Sequence, residues 1–344
     1  MNTTYSTFIK ACRREKTNFT PVWYMRQAGR VIPAYRKIRE KYDVLTISKT
    51  PELAAQVSLQ PVEILDVDAA ILFADIMIPL VSMGIDLELV DSIGPVIHNP
   101  IKDINDIKSL KPNNPEKNYA YLRETIQIIK HELPEDKAVI GFCGAPFTLA
   151  SYLIEGKPTR DFIETKTFMY KQPEYWHILM DKLTDAMILY LQEQCKAGID
   201  AYQVFDSWIG FLSKEDFIKY ALPYSRRIFK SLKSAKIPAI HFGTNTYHFL
   251  QEFASVDCDV VSLDWRVTAG QAWKEIGPHK AIQGNLDPAV LMSAINVIQI
   301  KADAIFDSLP QKEGFIFNLG HGVAWDTPLE HLIALTEYVH SKKA

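Results

Sequence analysis

Short apolar runs bounded by turn residues recur along the chain, and helical patterns separate most of them. Eight runs read as strands: PVWYM (21–25), DAAILFA (68–74), AVIGFCG (138–144), DAYQVFD (200–206), AIHFGT (239–244), VVSLDW (260–265), AIQGNL (281–286) and GFIFNLG (314–320). Most are continuously apolar rather than alternating, the pattern of parallel strands buried on both faces.

The intervening segments carry helix signals. Thr50-Pro51-Glu52 reads as an N-cap, a proline at the first helical position and an acidic first turn, opening a helix to about Leu65. Pro173-Glu174 starts a long amphipathic helix that closes near Gly198. Ser213-Lys214-Glu215-Asp216 resembles a capping box with Asp in place of Glu, and the last helix begins near Thr327-Pro328-Leu329-Glu330. Strands alternating with helices eight times predict an α/β chain, a single (β/α)8 TIM barrel over residues 1–344. One connection is too long for a bare barrel. Residues 79–115 contain DLELVD and GPVIHNPI around Gly94-Pro95, which predicts a hairpin-like insertion after strand 2. It is either a lid on the catalytic face or a solvated excursion.

Composition narrows the class. The chain of 344 residues is 47% hydrophobic with a net charge of −3, so a large core is affordable and no general nucleic-acid or anionic-membrane surface is expected. The N-terminal stretch has no apolar signal region, and no run reaches spanning length. Cys12, Cys143, Cys195 and Cys258 lie far apart without metal-ligand spacing and read as reduced thiols, consistent with a cytoplasmic protein.

Functional groups in such barrels come from the C-terminal ends of strands. Here those ends offer Arg26 and Arg30, Asp75, the GAPFT turn leading to Tyr152, Asp206-Ser207, His241, Asp264 with Arg266, Asn285 with Asp287, and His321. One arginine after a strand is commonly a surface ion pair, but Arg26, Arg30, Arg36 and Arg39 fall within fourteen residues. Arg26 and Arg30, spaced around a glycine, suit bidentate capture of carboxylates. Asp75 either caps the next element or stands in the mouth as a desolvated carboxylate that holds N–H donors or a cation. Tyr152 fits core packing or the mouth; Ser207 fits a helix N-cap or a site hydroxyl. His321 sits between two glycines. No lysine at a strand end offers Schiff-base chemistry, no GxGxxG follows a strand, and no nucleophile elbow occurs. What remains suits a substrate carrying several carboxylates and N–H groups.

The stretches PVWYMRQAGRVIPAYR, DAAILFADI, GAPFTLASYLIEG, QVFDSW, QGNLDP and NLGHG, in this order, resemble the uroporphyrinogen decarboxylase family of haem biosynthesis. The resemblance implies a (β/α)8 barrel acting as a homodimer with facing clefts. It also implies decarboxylation of four acetate side chains of uroporphyrinogen to methyls, without metal or organic cofactor. By position, it makes Arg26 and Arg30 carboxylate-binding residues, with Arg39 a further arginine near the cleft. Asp75 becomes the aspartate facing the central pyrrole N–H groups. Tyr152, Ser207 and His321 become cleft residues contacting side chains, with Phe73 beside them. Asp75 and Arg26 are the expected catalytic pair. The segment EGKPTRDF departs from relatives that carry glycines after the EG pair. Zinc-dependent, corrinoid-linked methyltransferases are similar in fold, but they bear His-x-Cys after the fifth strand and a late Gly-Cys-Gly. This chain has His241-Phe242-Gly243 and Gly320-His321-Gly322.

Overall fold

The computed structural model describes residues 6–90, 93–112 and 114–342. Its strands are, in chain order, Ala69–Ile71 (β1), Leu87–Val90 (β2), Gly94–Ile97 (β3), Ala138–Gly144 (β4), Ala201–Asp206 (β5), Ala239–Gly243 (β6), Val260–Ser262 (β7), Ala281–Leu286 (β8) and Phe315–Leu319 (β9). Seven of them form one parallel sheet in the order β1-β4-β5-β6-β7-β8-β9, with helices in the connections. The register places Ala69 opposite Ala138 at one edge and Ile282 opposite Phe315 at the other.

The expected first strand is an irregular stave instead. Val22 makes a single parallel bridge to Phe317. Around it, Phe317 N–H donates to Pro21 O (2.9 Å) and Trp23 N–H to Phe317 O (3.4 Å). On the opposite flank Asp68 N–H donates to Val22 O (2.8 Å), while Val22 N–H is taken by the Asp68 carboxylate (2.8 Å) rather than by a backbone carbonyl. Pro21 has no N–H to extend the ladder. Residues 21–25 thus join the β9 edge to the β1 side and close the cylinder without regular pairing.

Trp23 fixes that stave from inside. Its indole donates to Gln283 Oε1 (2.8 Å), and Gln283 Nε2 donates to Gln203 Oε1 (2.9 Å) and Ser262 Oγ (2.8 Å). Each partner is buried, so losing one leaves a desolvated polar group at a cost of about 1–3 kcal/mol. Above this layer Phe142, Phe205 and Phe242 meet edge to face, with centroids 5.5 and 5.7 Å apart.

Helix ends show where local rules yield to context. The helix Pro51–Leu65 forms as expected, but the Thr50 hydroxyl donates back to Thr46 O (2.8 Å) and does not cap. Ser213 Oγ accepts the Asp216 amide (3.1 Å), yet the Asp216 carboxylate accepts from the Ser213 hydroxyl (2.9 Å) and Tyr170 Oη (2.6 Å) rather than from the Ser213 amide, so the expected box is half made. A reciprocal box forms at Asp103 and Asp106. The helix Pro173–Ala197 ends on Gly198, at φ +103°.

Within 79–115, β2 and β3 pair antiparallel as a separate two-stranded sheet, Leu87 opposite Ile97; Asp91 of the DLELVD run lies outside the described residues. Ile97 N–H donates to Gly156 O (2.7 Å) and Ile101 N–H to Leu153 O (2.9 Å). These bonds brace the helix Pro146–Glu155, which carries Tyr152.

Candidate active site

Arg26 projects from a turn held on both sides. Met25 N–H donates to Asn318 Oδ1 (3.2 Å) and Val323 N–H to Met25 O (2.8 Å), which ties the turn to the end of β9. Buried Gln27 accepts Tyr24 N–H (2.9 Å) and donates to Ala69 O (2.9 Å), which ties it to β1. Between these anchors Arg26 adopts φ +62°, a left-handed conformation that a non-glycine residue keeps only where its surroundings impose it. Its stem crosses Gly322 so closely that a Cβ there would lie 2.5 Å from Arg26 Cδ. Gly29 is constrained likewise, since a Cβ would meet Arg26 O at 2.9 Å.

Asp75 combines both readings open at sequence level. Its Oδ1 accepts Met77 N–H (2.8 Å) and shapes the turn into Ile78–Val81. The side chain as a whole is half-buried at the end of the strand run. Burial raises the Asp75 pKa, opposed by the Met77 amide and then by the Arg26 charge. Tyr152 is pushed up to about 12, by burial first and by Asp75 next, against the pull of the Trp208 indole and Arg26. His321 is pushed down to about 4 by burial, then by Arg26 and Arg266. Arg26 therefore acts on Asp75, Tyr152 and His321 alike, and Asp75 on Tyr152, which gathers the four at one end of the barrel. Near neutral pH they present a guanidinium, a partly desolvated carboxyl, a protonated phenol and a neutral imidazole.

The other expected residues fall around this group. Phe73 is half-buried, its amide held by Ser58 Oγ (2.8 Å) and its ring 5.5 Å from that of Tyr35. Ser207 follows β5; its carbonyl accepts the Thr244 hydroxyl (2.6 Å), and no helix-capping bond from its own hydroxyl occurs. Arg30 O accepts from Arg36 Nη1 (2.7 Å). Arg39 stays at the end of its own helix, Pro33–Arg39, where Nη1 donates to Tyr42 O (2.6 Å). Asp43 is held below the usual carboxylate range by the Thr46 amide, with Arg39 adding to the effect.

Several neighbours were not singled out from sequence. Trp208 stands edge to face with Tyr152 (5.9 Å), its buried Nε1 near enough to favour the phenolate but outside full hydrogen-bond geometry. Phe242 supports His321 at 6.1 Å. Asp206, one of the strand-end residues read from sequence, is fully buried; Thr148 Oγ1 donates to its Oδ1 (2.8 Å) and accepts Trp208 N–H (3.2 Å), while Oδ2 is unpartnered. Burial pushes Asp206 up to about 7. Alternation within the runs 200–206 and 239–244 was the available signal for the two phenylalanines; for Trp208 there was none. The EGKPTRDF segment reaches its turn without a further glycine after Gly156. Phe162 takes φ +51° and packs its ring 4.6 Å from Phe211 and 5.2 Å from Trp208. His241 faces away from the mouth, stacked on Phe253 at 3.8 Å and kept neutral by burial. Among the described residues, no three His, Cys, Asp or Glu side chains come together to hold a metal ion.

The family model described as uroporphyrinogen decarboxylase matches residues 3–342. A protein of that name from Carboxydothermus hydrogenoformans is 48% identical over 334 residues, covering 97% of this chain and 95% of the relative. Another, from Bacillus subtilis, is 47% identical over 334 residues, covering 97% and 94%. Among solved structures, a methyltransferase from Methanosarcina mazei superimposes with a TM-score of 0.80 over 97% of both chains. At 19% identity that likeness shows the fold alone.

Proposed function

Since the chain belongs to the uroporphyrinogen decarboxylase family, we propose that it converts uroporphyrinogen III to coproporphyrinogen III, releasing four CO2 as its acetates become methyls. The observation that carries this reading is Asp75: a desolvated carboxyl with one oxygen anchored by the Met77 amide, within the field of the Arg26 guanidinium.

Decarboxylation needs a sink for the electron pair of the breaking C–C bond, and a pyrrole supplies its own. A proton adds to the ring carbon next to the acetate-bearing carbon, which makes the ring an iminium cation. The acetate's C–C bond then breaks, CO2 leaves, and its electron pair neutralises the ring as an exocyclic methylene forms. A second proton converts the methylene to methyl. The chain must hold the acetate so that its C–C bond overlaps the ring π system, and must stabilise the cation. Asp75 suits the second task, because a fixed charge in a water-poor site acts far more strongly than in solvent. Arg26 and Arg30 suit the first, with Arg39, Phe73, Tyr152, Ser207 and His321 completing the contacts to the periphery.

Arg26 orients the reacting acetate next to the proton path. A guanidinium, which keeps its proton throughout the working range, is poorly matched to acid catalysis. Tyr152 at about 12 and neutral His321 are matched no better, which favours delivery through water. The chain is read as one domain working as a cytoplasmic homodimer. Phe211 and Tyr247, 40% and 41% exposed on the loops after β5 and β6, support a covered rim, and no described helix is long and apolar enough to cross a membrane. The test is anaerobic incubation with uroporphyrinogen, followed by oxidation and chromatography of the porphyrins. Species with seven, six, five and finally four carboxylates are expected; an unchanged octacarboxylate overturns the reading.

A further inference from the structure

Arg266 lies outside the residues assigned above, yet the fold holds its guanidinium in one place at the mouth. β7 ends at Ser262, and the chain turns through 263–268 at the same end of the barrel as His321. Asn285 Nδ2 pins that turn on both sides of Arg266, donating to Asp264 O (2.9 Å) and Val267 O (2.6 Å). Buried Asp264 accepts Asn245 N–H (2.7 Å), Arg266 N–H (3.2 Å) and Arg266 Nη1. The guanidinium carbon lies 4.3 Å from the centroid of the Trp265 ring. The turn presses on Gly320, where a Cβ would lie 2.5 Å from Trp265 N, so Arg266 and His321 are kept side by side.

Sheet order decides which side Arg266 occupies. His321 follows β9; the stave carrying Arg26 flanks β9 on one side, while β8 and then β7 lie on the other. Arg26 crosses Gly322 and the Arg266 turn presses on Gly320, so the two arginine-bearing segments pack on the residues either side of His321. Asp264 does not consume Arg266: it engages Nη1 alone, no acceptor for Nη2 or Nε occurs among the described residues, and the side chain is 47% exposed. The field of Arg266 still reaches His321. A planar fork already ordered by stacking and one ion pair loses little freedom when it takes a carboxylate.

We propose that Arg266 is a specificity-determining residue that binds a peripheral carboxylate of the macrocycle on the flank of His321 opposite Arg26. This rests on the reading of the site as a porphyrinogen cleft. It accounts for an exposed, preorganised cation facing a polycarboxylate, which a surface ion pair with Asp264 does not require.

The experiment compares wild type, Arg266→Gln and Arg266→Lys in two assays. Binding of uroporphyrin, the oxidised octacarboxylate, is followed by fluorescence and needs no turnover. Steady-state decarboxylation of uroporphyrinogen is measured anaerobically. Removing one charge-assisted bond is expected to weaken Kd and raise KM roughly tenfold in Arg266→Gln, with kcat within about twofold and partial recovery in Arg266→Lys. Equal Kd and KM in all three proteins overturn the proposal. So does a fall in kcat with a lowered melting temperature that Lys does not repair, since that pattern belongs to the turn's structure. A wild type that binds uroporphyrin but leaves uroporphyrinogen intact sinks the decarboxylase reading alone, and the Kd comparison still decides Arg266.

Discussion

Asp75→Asn isolates the charge on which the proposed chemistry depends. Asparagine keeps an oxygen for the Met77 amide, at 2.8 Å in the native turn, so the backbone has no reason to move. What changes is the other position, where an anionic oxygen becomes a neutral amide, and an NH2 placed there opposes the pyrrole N–H donors. A unit charge about 4 Å from a developing cation is worth about 4 kcal/mol at the effective dielectric of a partly buried site. At 1.36 kcal/mol per decade this corresponds to a loss of about 10²–10³ in kcat/KM. The assay is anaerobic turnover of uroporphyrinogen with separation of the porphyrins by carboxylate number. Stability moves the other way. Burial raises the Asp75 pKa, so the folded state binds the proton more tightly than the unfolded chain. Native stability therefore falls as pH rises from the ordinary Asp range through the raised folded value, and the deficit persists above it. Asp75→Asn lacks that deficit, so it melts higher than wild type at neutral pH, with the gain fading below about pH 4. A variant that retains kcat/KM within tenfold of wild type refutes the electrostatic role.

Arg26→Lys keeps the charge but loses the planar fork, with an expected rise in KM of about tenfold; Arg26→Gly abolishes turnover while relieving the φ of +62°, gaining about 1 kcal/mol in chemical denaturation. Gly322→Ala drives a methyl against the Arg26 stem and Gly320→Ala drives one against Trp265 N, each at 2.5 Å. The first displaces a flexible side chain and lowers activity with little change in melting temperature, whereas the second strikes backbone and destabilises by about 1–3 kcal/mol. Asp206, pushed up to about 7, makes wild-type stability decline between the ordinary Asp range and about pH 7. Asp206→Asn flattens that part of the profile in melts from pH 4 to 8.

Chain order and burial of the strands were legible because periodicity is local. A run of apolar residues on a strand buried on both faces announces itself whatever it packs against. That is why 138–144, 200–206 and 281–286 appear with little change as β4, β5 and β8. The run 21–25 looked the same and became a stave, since the Asp68 carboxylate and the missing N–H of Pro21 interrupt a ladder that no local pattern reveals. Thr50 likewise has a capping sequence but spends its hydroxyl on Thr46.

The sequence by itself determined which chemistry was available: arginines past the first apolar run, a lone aspartate after the second, and a histidine between glycines near the end. Those positions are separated by tens to hundreds of residues, and proximity is a property of how a closed sheet brings strand ends to one rim. Only the tertiary structure decided that Asp75, Tyr152 and His321 share the field of Arg26. The same closure placed Trp208 against Tyr152 and the Arg266 turn against Gly320. Electrostatic coupling depends on distance and burial, and neither is written in the spacing of residues along a chain.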